Sequence, residues 1–242
     1  METHIKFLSA YTKEIEDLHL HTQSNKIAYC NNMGYEYSEI LFDNPDRSYG
    51  MPWVKIAAII KAMENYDGYI LWQDDDIVIM NDTYDITKLI PDENAAIIIP
   101  RFLRDPLVHT GCFLIKSCDI SRHIFNEIYT GTNYTGFKKH FSNEEAALTH
   151  YYQHGMYKDY ISFNDLRLFT SFLPTPLIKG NRYKYTGNCE FKYFIKPRPH
   201  MFLEGFAMYK RGDFCIHVPS PATKQEKILF LSYLMKYKEE FI

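Results

Sequence analysis

Short apolar runs and amphipathic stretches follow one another along this chain, and the two periods, near 2 and near 3.6, assign most of it to strands and helices. Ile5 to Ala10 reads as an opening strand. Helices are predicted over Lys13 to Leu20 and over Asn25 to Asn32, with Gly34 as a left-handed stop before a strand over Tyr35 to Leu41. FDNPDRSYG is turn-rich. In PWVKIAAIIKAMENY, Pro52 suits a first helical turn, and Ile56, Ile59, Ile60 and Met63 fall at i, i+3, i+4 and i+7, so this helix buries one stripe and ends at Asp67-Gly68. YILWQ follows as a buried strand, runs into three successive aspartates, and IVIMN comes next.

Strands are also predicted over AAIIIP (Ala95 to Pro100), GCFLI (Gly111 to Ile115) and DFCIHV. A helix over Ser121 to Tyr129 stops at Gly131, and Ser142 with Glu145 forms a capping box opening EEAALTHYYQH, which Gly155 closes. Phe163 to Met208, with four prolines, reads as irregular, and a last helix over Lys224 to Glu240 follows the break PSPAT. Ile228, Leu231 and Met235 recur on that helix at helical spacing beside Leu234 and Tyr237, a stripe for docking on the body, with a partner or membrane surface as the alternative. This order predicts a layered α/β domain.

Composition narrows the class. With 242 residues, 46% hydrophobic and 24% charged, the chain has the make-up of a folded globular protein, not of a disordered, collagenous or coiled-coil one. No apolar run reaches the ~18 to 20 residues that span a bilayer, and the first residues lack a signal-peptide pattern, so a cytoplasmic location is expected. Five cysteines without a CxxC pair argue against a disulfide framework or a structural zinc site. The net charge of -3 argues against a general nucleic-acid binder. It is unevenly spread, because eight basic residues face two acidic ones between Lys179 and Arg211. Such a layout suits an acidic metal site facing an anionic ligand, or simply a solvated basic loop. Aromatic residues reach 16%, from core packing and codon bias or, for Trp53, Tyr134 and Phe137, from platforms that stack on sugars.

Asp74, Asp75 and Asp76 are the main chemical signal. In extended chain, alternate side chains share a face, so Asp74 and Asp76 converge while Asp75 points away. Two convergent carboxylates repel unless a cation lies between them, and hard oxygen ligands favour Mg²⁺ or Mn²⁺. An acidic surface turn is the alternative. An aspartyl phosphatase would carry Thr where this chain has Val78. His217 either completes a Mn²⁺ site with the two aspartates or is a hydrogen-bonded core group. Lys224, at the start of the last helix, either reaches a phosphate or is an exposed lysine.

The stretches NKIAYCNNMGYEY, PWVKIAAIIKAM, YILWQDDDIVIMN, HTGCFLIKS, EEAAL and FCIHV resemble, in order and approximate spacing, the galactosyl/mannosyl/xylosyltransferase family of the yeast α-mannosyltransferase subunits and plant xyloglucan xylosyltransferases. W-x-D-x-D followed by Met80-Asn81 and preceded by P-W-x-K carries most of the likeness. The resemblance covers about Asn25 to His217. It implies a GT-A fold, a mixed and mostly parallel α/β sheet flanked by helices, in one domain spanning residues 1–242. Its nucleotide-binding part would be about 1–100, its acceptor and sugar part about 101–220, and its terminal helix about 224–240.

The implied activity is metal-dependent transfer of a hexose or pentose, with retention, from a nucleoside-diphosphate sugar to a carbohydrate acceptor, with a UDP-sugar ahead of a GDP-sugar and Mn²⁺ ahead of Mg²⁺. Asp74, Asp76 and His217 match the metal positions. Lys55 matches the lysine of W-x-K near the nucleotide, and Thr110 and Gly111 fall on the stretch lining the sugar pocket, with His109 in place of an Asn. Glu144 matches an acidic position, and Glu145 stands where related sequences tend to carry Gln, so a carboxylate there can act as base or nucleophile or can merely cap its helix. Arg198, Lys210 or Lys224 would assist at the diphosphate, and Tyr11 and Thr12, closing the first strand, would border the base and ribose. Competing readings are a non-catalytic nucleotide-sugar or carbohydrate-binding subunit, and a sugar nucleotidyltransferase, whose Gly-rich phosphate loop SAYTKEIED lacks. Family members in eukaryotes are usually anchored in the secretory pathway, so an unanchored chain is expected to be bacterial, viral or excised.

Overall fold

The computed structural model describes residues 3–43, 51–91, 94–101, 107–140, 143–172, 178–179, 182–183, 209–218 and 223–241. A six-stranded sheet has the order β2 (Glu36–Phe42), β1 (Ile5–Thr12), β3 (Tyr69–Gln73), β6 (Cys112–Lys116), β5 (Ile97–Arg101), β7 (Ile161–Asp165). Its strands run parallel except β6, which is antiparallel to β3 and to β5.

The period of two sorts the apolar residues of these strands between two cores. Leu8, Ile70, Trp72, Ile97, Ile99, Phe113 and Ile115 face one side, where they meet Trp53, Ile56 and Ile59 of α2 (Met51–Met63), Ile124 and Phe125 of α3 (Asp119–Thr130), and Ala147 and Tyr151 of α4 (Asn143–His154). Phe7, Leu71, Ile98, Cys112 and Leu114 face the other, against Tyr29 of α1 (Glu16–Met33) and against β4 (Ile77–Ile79) and β11 (Cys215–His217). β11 lies between β4, antiparallel to it, and β8 (Ser171–Phe172), parallel to it, in a second sheet of three strands.

Three elements depart from the sequence expectation. The helices predicted over Lys13–Leu20 and Asn25–Asn32 are one, α1, preceded by a 3-10 turn over Lys13–Ile15, because nothing between Leu20 and Asn25 is a helix breaker. Gly34 ends it as predicted, at φ 71. The stretch from Phe163, expected to be irregular, completes β7 and continues as the short helix α5 (Leu166–Phe169) and β8, before the two-residue strands β9 (Ile178–Lys179) and β10 (Arg182–Tyr183). The last helix is divided into α6 (Lys224–Lys236) and α7 (Lys238–Phe241). Thr223 and Glu226 form a capping box at the start of α6, an N-terminal device the sequence reading passed over. Ser142 of the expected capping box lies outside the described residues, as does Arg198 with most of the basic stretch and the PSPAT break up to Ala222.

α6 docks on the body through Phe230, Leu231 and Leu234, which join Leu18, Val78, Met80, Ile216 and Val218 in a third apolar cluster. Leu231 and Leu234 are fully buried, each contributing about 1.5–3 kcal/mol relative to exposure. Cys30, Cys112 and Cys215 are buried core residues with free thiols. No described helix is long and apolar enough to cross a membrane.

Candidate active site

The parallel strands β1 and β3 end at the same edge of the main sheet, and β11 brings His217 to it from the second sheet. A cleft of about 440 Å³ opens there, lined by Ala10, Ile15, Leu18, Pro52, Val54, Lys55, Trp72, Asp74, Asp75, Asp76, Glu144 and Lys227. Open α/β sheets place ligands at this end.

Asp74 and Asp76 converge on the cleft as alternation predicts. With His217 they offer three ligand atoms within 4.8 Å of one another. The Trp72 indole donates to Asp74 Oδ1 at 2.8 Å, and Lys55 Nζ lies 3.1 Å from the same oxygen. His217 Nε2 lies 3.1 Å from Asp76 Oδ1, and Lys227 Nζ pairs with Asp76 Oδ2. Burial and the neighbouring Asp76 charge raise the Asp74 carboxyl above its ordinary range despite Lys55. Against the same burial, His217 and Lys227 hold Asp76 far below that range. His217 Nδ1 is buried with no hydrogen-bond partner among the described residues. Two carboxylates and an imidazole, one nitrogen of which is unpartnered, suit a divalent cation such as Mn²⁺, which accepts mixed oxygen and nitrogen ligands.

Lys55, on α2, joins this cluster to a second pair of carboxylates. Its ammonium donates to the Thr110 carbonyl at 2.8 Å, to Thr110 Oγ1 at 3.1 Å and to Glu144 Oε1 at 3.1 Å, and Thr110 Oγ1 donates to Glu144 at 2.7 Å. Burial alone would lower the Lys55 pKa, but Asp74, Glu144 and Glu145 outweigh it and raise it. Glu145 accepts from the Thr110 amide at 3.3 Å, and burial together with the Glu144 charge pushes its carboxyl up to about 8. Gly111 closes the group. Its carbonyl accepts from the Asp74 amide at 2.8 Å, and a Cβ there would stand 2.5 Å from His109 Cε1, so the close approach requires glycine.

Six expected residues sit elsewhere. Lys224 pairs with Asp17 at 2.8 Å and with the Glu14 carbonyl at 3.1 Å, outside the cleft, and Lys227, almost one turn later, occupies the place expected for it. The stripe of Ile228, Leu231 and Leu234 turns Lys227 toward the site, a signal present in the sequence. Tyr11 is buried and stacked on His19 with centroids 3.8 Å apart, because strand alternation gives the cleft wall to Ala10, and Thr12 is likewise buried outside the lining. His109 packs behind His217, 5.2 Å between centroids, and burial with the His217 charge keeps its pKa well below the ordinary value. Trp53 and Tyr134 are core residues, 1% and 4% exposed, which removes them as sugar platforms.

Sequence reasoning also missed the groups beneath the aspartates. Asp75 is turned inward onto Lys26 Nζ at 2.8 Å and His19 Nδ1 at 3.0 Å, and both partners are fully buried. The spacing of His19, Thr22 and Lys26 on one helical face was the available signal.

Residues 5–98 match the model of the galactosyl transferase GMA12/MNN10 family. No curated protein matches the chain. Among solved structures, a glycosyltransferase involved in the glycosylation of the major capsid of PBCV-1 superposes with a TM-score of 0.64 at 13% identity, over 95% of this chain and 99% of that one. The chain is a glycosyltransferase of the GT-A fold. The galactosyltransferase LgtC, in complex with donor and acceptor sugar analogs, gives 0.58 at 9% identity over 98% and 96% of the two chains. An LgtC variant with an active-site glutamine changed to glutamate gives 0.51 at 12% over 96% and 95%. The family match includes Lys55, Asp74 and Asp76 but stops before Thr110, Glu144, Glu145 and His217, whose grouping around the cleft is a matter of tertiary structure.

Proposed function

We propose that this glycosyltransferase transfers a hexose or pentose from a UDP-sugar to a carbohydrate acceptor, with retention, at a Mn²⁺ site. The observation that carries the reading is the convergence of Asp74, Asp76 and His217, their ligand atoms within 4.8 Å of one another, at the edge of a 440 Å³ cleft. Those three side chains would hold the cation, which when bound supplies Lewis-acid stabilisation of the charge that develops on the leaving diphosphate. The apolar wall of Ile15, Leu18, Pro52 and Val54 suits the nucleoside.

Lys227 supplies a second positive group on the diphosphate side, and Lys55 holds Asp74 and Glu144 in place. Glu144, in the cleft lining, flanks the place where positive charge develops on the sugar. With a pKa of about 8, Glu145 is largely protonated at neutral pH and presents a donor and an acceptor, as an amide would. That fits the resemblance, in which a glutamine tends to occupy its position, and retention is carried over from the same resemblance. His109 stays neutral and backs His217.

The test compares the wild-type chain and Asp76→Ala for hydrolysis and transfer of UDP- and GDP-sugars with Mn²⁺, following the product anomer by NMR. The expected result is a UDP-sugar-dependent, retaining activity that falls by about 100-fold or more in the variant. Full activity in Asp76→Ala would refute the metal assignment. Tight UDP binding with no turnover of any donor would make the chain a binding subunit.

A further inference from the structure

Three identical carboxylates in a row leave open whether the outer two or the middle one faces the cleft, since a shift of one residue exchanges the faces of an extended segment. The choice is made from below. Lys26 and the Asp75 side chain are 0% and 3% exposed, and Lys26 Nζ donates to Asp75 Oδ1 at 2.8 Å, to the Asp74 carbonyl at 3.2 Å and to Ser9 Oγ of β1 at 2.9 Å. From the same face of α1, Thr22 Oγ1 donates to the Asp75 carbonyl at 3.1 Å. The Asn25 side chain accepts from the Ile79 amide at 2.7 Å and donates to its carbonyl at 3.0 Å. His19 bridges Asp75 Oδ1 and Glu39 Oε2, each at 3.0 Å. The Val218 amide donates to the Asp76 carbonyl at 2.9 Å, so the carbonyls of all three aspartates are held.

A buried ion pair is a poor source of stability, because desolvating two charges offsets their attraction, and apolar replacements of equal size are often neutral or better. Its best-attested use is to fix a register. We infer that Lys26 and Asp75 are positioning residues of the donor site. By selecting Asp75 as the inward carboxylate and clamping the backbone on both sides of it, they set the separation of Asp74 and Asp76 for the cation and the diphosphate. The inference rests on the reading of Asp74, Asp76 and His217 as cation ligands.

The experiment uses the full chain and two variants: Lys26→Met combined with Asp75→Asn, which removes both charges at nearly constant shape, and Thr22→Val, which removes one backbone anchor. Mn²⁺ affinity is read from quenching of tryptophan fluorescence, and melting temperature is read in EDTA. The double variant is expected to melt near the wild-type temperature but to bind Mn²⁺ about 10- to 100-fold more weakly, as altered supports of metal ligands do. Thr22→Val is expected to weaken binding about fivefold. A folded double variant with wild-type Mn²⁺ affinity overturns the inference and leaves the metal site standing. If the double variant does not fold, Thr22→Val decides, and unchanged affinity there overturns it. A wild-type chain that binds no Mn²⁺ overturns the cation site and this inference together.

Discussion

Replacing Lys55 by Met isolates the electrostatic part of the site, because the two side chains are nearly equal in length and only the charge and its donors are lost. In the folded chain that ammonium stands 3.1 Å from Asp74 Oδ1 and 3.1 Å from Glu144 Oε1, and it donates to Thr110 twice. Removing one partner of a buried ion pair costs about 3–5 kcal/mol, since the other charge is left uncompensated. For a domain of this size each kcal/mol moves the melting temperature by about 2–4 °C, so a fall of roughly 6–20 °C is expected at pH 8 in EDTA.

Sign and pH dependence follow from linkage. Without Lys55 the folded-state pKa of Asp74, already raised by burial and Asp76, rises further above its unfolded value, so the deficit is small where that carboxyl is protonated and grows as pH rises. The assay is calorimetric or fluorescence-detected unfolding at pH 5 and pH 8, with Lys224→Met as control, because Lys224 pairs, among the described residues, with the exposed Asp17 and the Glu14 carbonyl. The control should melt like wild type. An equal deficit for Lys55→Met at both pH values would mean that lost packing causes it, and no deficit at pH 8 would refute the neutralising role of Lys55.

Two further outcomes follow from the same geometry. Glu145 has a folded-state pKa of about 8 against an ordinary 4.5, so the folded chain keeps a proton that the unfolded chain releases, and stability is lost as pH rises between those values. Glu145→Gln removes that loss, so the variant should melt above wild type at pH 9 and equal it at pH 4.5; identical pH profiles would contradict the protonated carboxyl. Leu231→Ala should cost about 2–5 kcal/mol, because its fully buried side chain packs among Leu18, Val78 and Ile216, and it should raise the donor KM by loosening the helix that carries Lys227. Unchanged melting would mean that α6 does not dock in solution.

How much of this was legible before the structure depends on the range of the interactions concerned. α2 was readable because Ile56, Ile59 and Met63 repeat at the helical period, and all three are fully buried. β3 was readable as five consecutive buried residues, and the convergence of Asp74 with Asp76 followed from the period of two. The single α1 was missed because helix continuity through Thr22 and Gln23 is decided by packing against β1 and β4, where weak local propensities do not rule.

The sequence by itself determined the alternation of elements, the face each strand gives to each core, and the two carboxylates that leave the sheet edge together, since these depend on backbone geometry acting over a few residues. Only the tertiary structure decided that Lys227, and not Lys224, reaches Asp76, that Tyr11 turns inward onto His19, and that Lys55 links Asp74 to Glu144, which lies 89 positions further along the chain than Lys55. Such partners are selected by burial: a charge removed from water must find its counter-charge among whatever the fold brings near, and local periodicity carries no record of it. Asp75 makes the division plain, because its neighbours in sequence are two more aspartates, while the buried lysine that distinguishes it lies 49 residues away.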